Sequence, residues 1–337
     1  MELLERLSNA FGVSGNEKDV RELIEEEIKE YVDNVSVDKM GNLIAHKKGK
    51  SPKVMLTAHM DEVGIMVKSI DDLGRIFVSA LGSVDAIALV GHRVHIETKK
   101  GIIHGIVTTK ELSDGKYVTN LPKVEDVIVD TGLSKKELVS RGVEIGTYLP
   151  LETEFFYLGS EDVISGKAFD DRIGCYVLIE LAKRLKNVKH DIYYVFTVQE
   201  ELGLYGAITS TYMVEPDWAL VIDVSETSET SDPPTRILGQ GPCITVKDAE
   251  MIGNIEIDRW LEDTAKKNKI PFQLDVSDAG TTDAVSISVT KGGVPSTVIG
   301  IPVRNIHTVK YVAHKRDIAN AIKLIEELLK RPPKFER

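Results

Sequence analysis

Short runs of apolar and β-branched residues recur along the chain, and several stop abruptly on charged or polar side chains. Residues 192–198 form one such run, which stops on Gln199, Glu200 and Glu201 and turns through Gly203. A continuous apolar run of this length predicts a buried strand of the parallel type. Residues 53–58 form a second run, followed by His59, Met60, Asp61 and Glu62. Residues 218–222 lead into Asp223, and residues 294–299 lead through a short loop to His307. Helices are predicted between these strands. Ser14 and Glu17 have the spacing of a capping box, which would open a helix running to about Tyr31. Further helices are expected over 170–186, 204–213, 254–267 and 316–329. Residues 35–37 and 43–46 read as a hairpin around Met40, Gly41 and Asn42, and residues 272–274 as a short strand.

The texture changes between residues 63 and 158. Many short β-like runs are punctuated there by glycine, and only residues 135–140 read as helix. Regular strand and turn spacing without long helices predicts a small β-barrel or sandwich. After Gly159 the α/β alternation returns. The expected organisation is one α/β domain, residues 1–62 plus 160–337, interrupted by a β domain at 63–159 that serves as a lid or an oligomerisation surface. Residues 225–241, rich in Ser, Thr, Asp and Pro, form a long loop expected to be functional or mobile.

Composition narrows the function classes. The net charge of -11 gives no support for nucleic-acid binding. The two cysteines, Cys175 and Cys243, are far apart, so neither a disulfide framework nor a thiolate metal site is expected. The first residues lack the basic head and apolar core of a signal peptide. No apolar run approaches membrane-spanning length, so a cytoplasmic protein is expected.

The polar ends of the strands carry the chemistry. Adjacent carboxylates where a buried strand stops are costly unless a cation holds them. In an open α/β sheet, ligands sit beyond the carboxyl ends of the strands. If the strands run parallel, His59, Asp61, Glu200, Glu201, Asp223 and His307 gather on one rim, and the pair Asp170-Asp171 opens a helix. Two imidazoles and several carboxylates without cysteine suit Zn, Co or Mn. Such a donor set exceeds one tetrahedral shell and fits two ions, with a shared carboxylate bridging them at about 3.5–4 Å.

Six motifs then occur in a telling order: His59-Met-Asp61, Gly166-Lys-Ala-Phe-Asp170-Asp171-Arg172, Gln199-Glu200-Glu201-Leu-Gly203, Ile222-Asp223, Thr282-Asp283-Ala284 and Ile301-Pro-Val-Arg304-Asn-Ile-His307. Together the chain resembles the TET-type aminopeptidases of metallopeptidase family forty-two, whose members also carry deblocking-aminopeptidase or endoglucanase labels. The resemblance implies a zinc-peptidase-like α/β/α sandwich interrupted by a small β-barrel. It implies two divalent metal ions per subunit, Zn or Co foremost and Mn third. One ion would be held by His59, Asp170 and Asp223, the other by Asp170, Glu201 and His307, with Asp170 bridging. Glu200 would be the general base, and Asp61 would orient His59. The Asp170–Asp171 peptide would be cis. The substrates would be peptides with a free α-amine, and dimers would assemble into a hollow tetrahedral dodecamer. Around Thr282 the sequence reads Gly280-Thr281-Thr282-Asp283, where the family pattern has Gly directly before Thr-Asp. Thr282 and Asp283 therefore stay outside the expected catalytic set.

Two other functions share parts of this pattern. Paired carboxylates also hydrolyse glycosides. Sugar sites favour stacking aromatics, though, and aromatics are only 6% of this chain. A module that holds metal without catalysis has no use for Glu200, which has no ligand role. His46, His92, His95, His104, His190 and His314 lack a carboxylate cluster and are read as structural, as is Cys175.

Overall fold

The computed structural model describes residues 1–186 and 189–331. Residues 332–337, the end of the expected α/β segment, lie outside the described residues. The middle of a large mixed sheet is formed by His190–Thr197, Lys50–His59, Trp218–Glu226 and Ser296–Arg304, parallel and in that order. Leu43–Lys47 and Asn34–Val37 extend one side as the expected hairpin. Tyr311–His314, Val163–Gly166 and Phe156–Tyr157 extend the other, all antiparallel.

Alternation along the parallel strands buries both faces. Val54, Leu56 and Ala58 join one apolar core, and Met55 joins the other. Ile192, Tyr194 and Phe196 separate from Val195 in the same way, and Leu220 and Ile222 from Ala219 and Val221. The first core is completed by helices Glu2–Asn9, Lys18–Ile28, Phe169–Arg184, Ile255–Asn268 and Lys315–Leu329. The second is completed by Tyr205–Val214 and Asp283–Ser288. The result is the expected α/β/α sandwich. Each large side chain buried this way contributes roughly 1.5–3 kcal/mol.

The chain leaves this sheet after His59 and builds a second, antiparallel one from Gly64–Ile70, Ile76–Leu81, Val127–Asp130, Gly101–Thr109, Arg93–Thr98 and Leu151–Glu152. The stretch 146–152 closes it into a small barrel. Its first half bonds the Gly64–Ile70 edge, with Leu149 donating to the Ile65 carbonyl at 3.0 Å and Val67 to the Thr147 carbonyl at 2.9 Å. Its second half pairs with Arg93–Thr98. Ile65, Val78, Val94, Ile96, Val107 and Val129 fill the interior.

Three local expectations are revised. The capping box does not form: Ser14 Oγ donates instead to Asp61 Oδ2 at 2.6 Å, and Glu17 Oε1 accepts from the Gly15 N–H at 2.6 Å. Glu17 Oε1 also accepts the distant Gln199 N–H at 3.3 Å, so tertiary partners engage both side chains, and the helix starts at Lys18. The third and fourth parallel strands run past their apolar stretches, because Trp218–Glu226 and Ser296–Arg304 pair with each other almost throughout. Asp223 therefore sits inside a strand, opposite Gly300, and not beyond its end. In the barrel segment, Lys135–Arg141 is helical as expected, but Ala86–Leu89 and Lys110–Ser113 add single turns. Their caps, Asp85 and Thr109, each accept a backbone N–H.

Candidate active site

The sheet's carboxyl rim brings all the predicted residues together. His59 ends its strand, and its Nε2 lies 2.9 Å from Asp170 Oδ1 and 3.9 Å from Asp223 Oδ1. His307 Nε2 lies 3.6 Å from the other oxygen of Asp170 and 3.7 Å from Glu201 Oε2. Asp170 thus faces one group with each oxygen. The groups His59–Asp170–Asp223 and Asp170–Glu201–His307 each place their donor atoms within 4.8 Å of one another.

Local backbone aims these side chains. After Thr197 the strand breaks into a single helical turn, Glu200–Gly203, bracketed by Gln199 and Leu204 in left-handed conformations at φ 54° and 60°. Non-glycine residues hold that conformation at a cost of about 1–3 kcal/mol, so surrounding contacts must secure it. Asp61 does so: its Oδ1 accepts the Glu200 N–H and its Oδ2 the Glu201 N–H, at 3.0 and 3.2 Å. Asn42 holds both sides of the turn, accepting from the Val198 N–H at 3.0 Å and donating to the Gly206 carbonyl at 3.0 Å. His307 is also left-handed, at φ 56°, and its N–H donates to the Tyr311 hydroxyl at 3.0 Å. The Asp170–Asp171 peptide is cis, as expected.

Asp61 faces His59 with its main chain and its side chain. His59 Nδ1 is 3.1 Å from the Asp61 main-chain carbonyl and 3.5 Å from its carboxylate. The imidazole thus meets both the carbonyl and the carboxylate, and the carboxylate also serves the Glu200–Glu201 turn.

Beneath the rim, Arg172 is fully buried on the same helix as Asp170. Its guanidinium donates to the carbonyls of Leu7, Ala10, Gly12 and Met60 at 2.6–3.4 Å and reaches Glu62 at 3.3 Å. Lys167 Nζ meets both oxygens of Glu62 at 2.6 and 2.8 Å.

The electrostatics are one-sided. Burial pushes Glu200 and Glu201 well above the usual carboxylate range, with repulsion from neighbouring acids adding to it. Burial likewise lifts Asp223 to about 8. Burial alone would lower His59, but Glu200, Asp170 and Asp61 surround it and hold it well above its ordinary value. Glu201 Oε1 is buried without a hydrogen-bond partner. An orphaned buried carboxylate oxygen is expensive, and this one belongs to a donor set short of positive charge. The residues therefore fit divalent cations.

These groups line a cavity of about 540 Å³. Sequence reasoning missed much of its wall. Ser83 comes from the barrel segment, and Arg236, Asp248 and Asp275 come from the loop before strand Cys243–Lys247, the residue after it and its neighbour Gln273–Val276, which branch off Ser296–Arg304. No motif marks them. Gly82 passes so close to Glu201 that a Cβ there would sit 3.1 Å from the Glu201 Cβ. Asp283, set aside from the sequence, is buried and accepts from the Thr197 hydroxyl at 2.5 Å, and burial raises it to about 6. Its charge reaches Glu200. Its position in the Thr282-Asp283 pair was the available signal. Elsewhere, His95 is buried against the ring of Phe11, and His46 pairs with Asp191 at 2.7 Å, consistent with structural roles.

Imidazoles and carboxylates gathered on the rim of a doubly covered parallel sheet, with one carboxylate shared by two donor groups, define a metal-dependent hydrolase. Residues 41–324 match the family described as M42 glutamyl aminopeptidase, and the chain belongs to that family. It is a metal-dependent aminopeptidase. A lysyl aminopeptidase of Pyrococcus furiosus is 36% identical over 341 residues, covering 97% of this chain and 96% of its own. The solved aminopeptidase APDkam598 of the archaeon Desulfurococcus kamchatkensis superposes with a TM-score of 0.93 at 35% identity, covering 98% of this chain and 94% of its own. The TET1 peptidase of Pyrococcus horikoshii, described as assembling into a tetrahedron or a large octahedral shell, gives 0.87 at 30% identity, covering 97% and 98%. Among the described residues, no helix is long and apolar enough to cross a membrane.

Proposed function

We propose that this aminopeptidase works with two divalent ions, one held by His59, Asp170 and Asp223 and the other by Asp170, Glu201 and His307. The observation that carries the reading is the division of Asp170, whose two oxygens face the two histidines at 2.9 and 3.6 Å. Bound there, the ions would acidify the attacking water and polarise the scissile carbonyl. Glu200 is the group left to move protons. Its carboxylate would take one from the water and return it to the leaving amine nitrogen. Asp61 keeps that carboxylate in place through the Glu200 N–H. The crowd of acids around the cavity favours a substrate that presents a free, positively charged α-amine.

The barrel segment, 63–159, is proposed as a separate inserted domain that forms part of the cavity rim through Ser83 and carries subunit contacts. By analogy with the shell-forming relative, the chain is read as a homo-oligomer, a dodecamer built from dimers, cytoplasmic and restricted to short peptides. The family's description says glutamyl and one relative is a lysyl enzyme, so membership alone leaves the preferred N-terminal residue open.

Paired assays of free and N-acetylated peptides test the reading, alongside light scattering. The free peptides should be shortened from the N-terminus and the acetylated ones spared, by a particle far larger than the 37.3 kDa chain. Efficient cleavage of acetylated peptides would overturn the amine requirement, and a fully active monomer would overturn the shell.

A further inference from the structure

The cavity continues beyond the catalytic cluster to a wall made by Arg236, Thr245, Asp248, Asp275 and Ser277. Asp248 and Asp275 are almost wholly buried, with 5% and 4% exposure. Arg236 and Asp275 answer each other, with Nη1 3.0 Å from Oδ1. Asp248 has no such answer. Its Oδ1 accepts the backbone N–H groups of Glu250 and Met251 at 2.8 and 2.6 Å, while its Oδ2 is buried and makes no hydrogen bond. The adjacent Lys247 ammonium is engaged by the carbonyls of Asp248 and Ser277 and by the Asp278 carboxylate at 2.9 Å. Lys247 does not line the cavity. Arg236 Nε is buried without a hydrogen-bond partner too, but its charge is balanced by Asp275, so the wall carries one ion pair and one carboxylate with no cation. Burial raises Asp275, Arg236 lowers it and the Asp248 charge raises it again, which places the two acids within electrostatic reach.

We infer that this wall receives the side chain of the substrate's N-terminal residue, and that Asp248 selects a cationic one, lysine or arginine. The inference rests on the aminopeptidase reading. The cavity, about 540 Å³, is large enough for an extended side chain beside the reacting bond. An ammonium or guanidinium entering from the cavity offers the Asp248 carboxylate, whose Oδ2 lacks a donor, a charge-assisted bond. An acidic side chain meets the unmatched carboxylate, and the Arg236 charge beside it is already balanced by Asp275. An aliphatic side chain of equal length fills the space but leaves Oδ2 unanswered. Site polar groups left unpaired by the wrong substrate are a strong basis for rejecting it.

Aminoacyl p-nitroanilides of lysine, arginine, norleucine, leucine and glutamate, assayed on the metal-loaded enzyme, test the assignment. The kcat/KM for lysine and arginine should exceed that for norleucine by about 10- to 100-fold, and glutamate should be slowest. Asp248→Asn retains an oxygen for the Glu250 and Met251 N–H groups. In it the lysine-to-norleucine ratio should fall by about tenfold or more. Calorimetric titration with free lysine and free norleucine gives a readout independent of turnover. Lysine should bind more tightly to the wild type and lose that advantage in the variant. Glutamate hydrolysed faster than lysine, or an unchanged ratio in a folded Asp248→Asn enzyme, would overturn the assignment. If the variant does not fold, the wild-type ratio and titrations decide alone. Hydrolysis without cationic preference sinks only this inference. Failure to hydrolyse any of the five would sink the aminopeptidase reading and this one with it.

Discussion

The Asp61 carboxylate accepts the backbone N–H of Glu200 at 3.0 Å. A residue just beyond one strand thus fixes the turn at the end of its neighbour, and through the Glu201 N–H it fixes a proposed ligand as well. Asp61→Asn offers one acceptor and one donor where two acceptors are needed. Activity or metal affinity should fall by about 10- to 100-fold, as for other groups that support a metal site. Steady-state kinetics together with metal content after dialysis would show this. Wild-type values in both would mean that the turn is held by Asn42 alone.

Glu200→Gln should keep the fold and both ions yet lose turnover. Removing a general base costs about 10²–10⁴-fold. The amide is nearly isosteric and cannot take a proton, so kcat should fall with KM little changed. Near wild-type turnover in a metal-replete variant would refute the role.

Asp170→Asn should empty both proposed metal positions, because each of its oxygens serves one donor group. His307→Ala should empty only one. Elemental analysis of reconstituted protein should give about two ions per chain for wild type, about one for His307→Ala and few for Asp170→Asn. Equal metal loss in both variants would count against the bridging arrangement.

Asp258 gives a pH dependence away from the metal-binding rim. It is buried, accepts from the Thr297 hydroxyl, and burial raises it to about 6. In the unfolded chain a carboxyl returns to about 4. Between those values the folded protein holds the proton that the unfolded chain releases. This group's contribution is therefore complete below about pH 4 and is lost as pH rises through about 6. Asp258→Asn should remove that slope. Denaturant unfolding of wild type and variant at pH 4 to 7 measures it as a difference, and parallel curves would contradict it.

The rim was legible because its residues follow apolar runs whose length and composition announce parallel strands. That pattern located His59, Glu200, Glu201 and His307. It located Asp223 as well but ended the strand too early, since backbone pairing with Ser296–Arg304 carries that strand to Glu226. Ser14 and Glu17 show the opposite failure: a correct local spacing was overridden by partners 47 and 182 residues away. Asp248, Asp275 and Ser83 could not be read at all, and Arg236 only as part of the 225–241 loop expected to be functional or mobile. They come from separate segments that meet only when the two sheets are in place, and none has a spacing relationship to another.

Arg172 is secured largely by carbonyl oxygens, those of Leu7, Ala10, Gly12 and Met60. A carbonyl is supplied by any amino acid, so what the guanidinium demands of residues 7–12 is a route and not a spelling. Replacing Ala10 leaves its oxygen where it was. Gly12 is the exception, since a Cβ there would fall 2.5 Å from an Arg172 nitrogen. Adding or removing one residue between Leu7 and Gly12 would turn the acceptors away together and strand a buried cation two positions from Asp170. Across descendants of this sequence, the spacing of that stretch should drift far less than its letters.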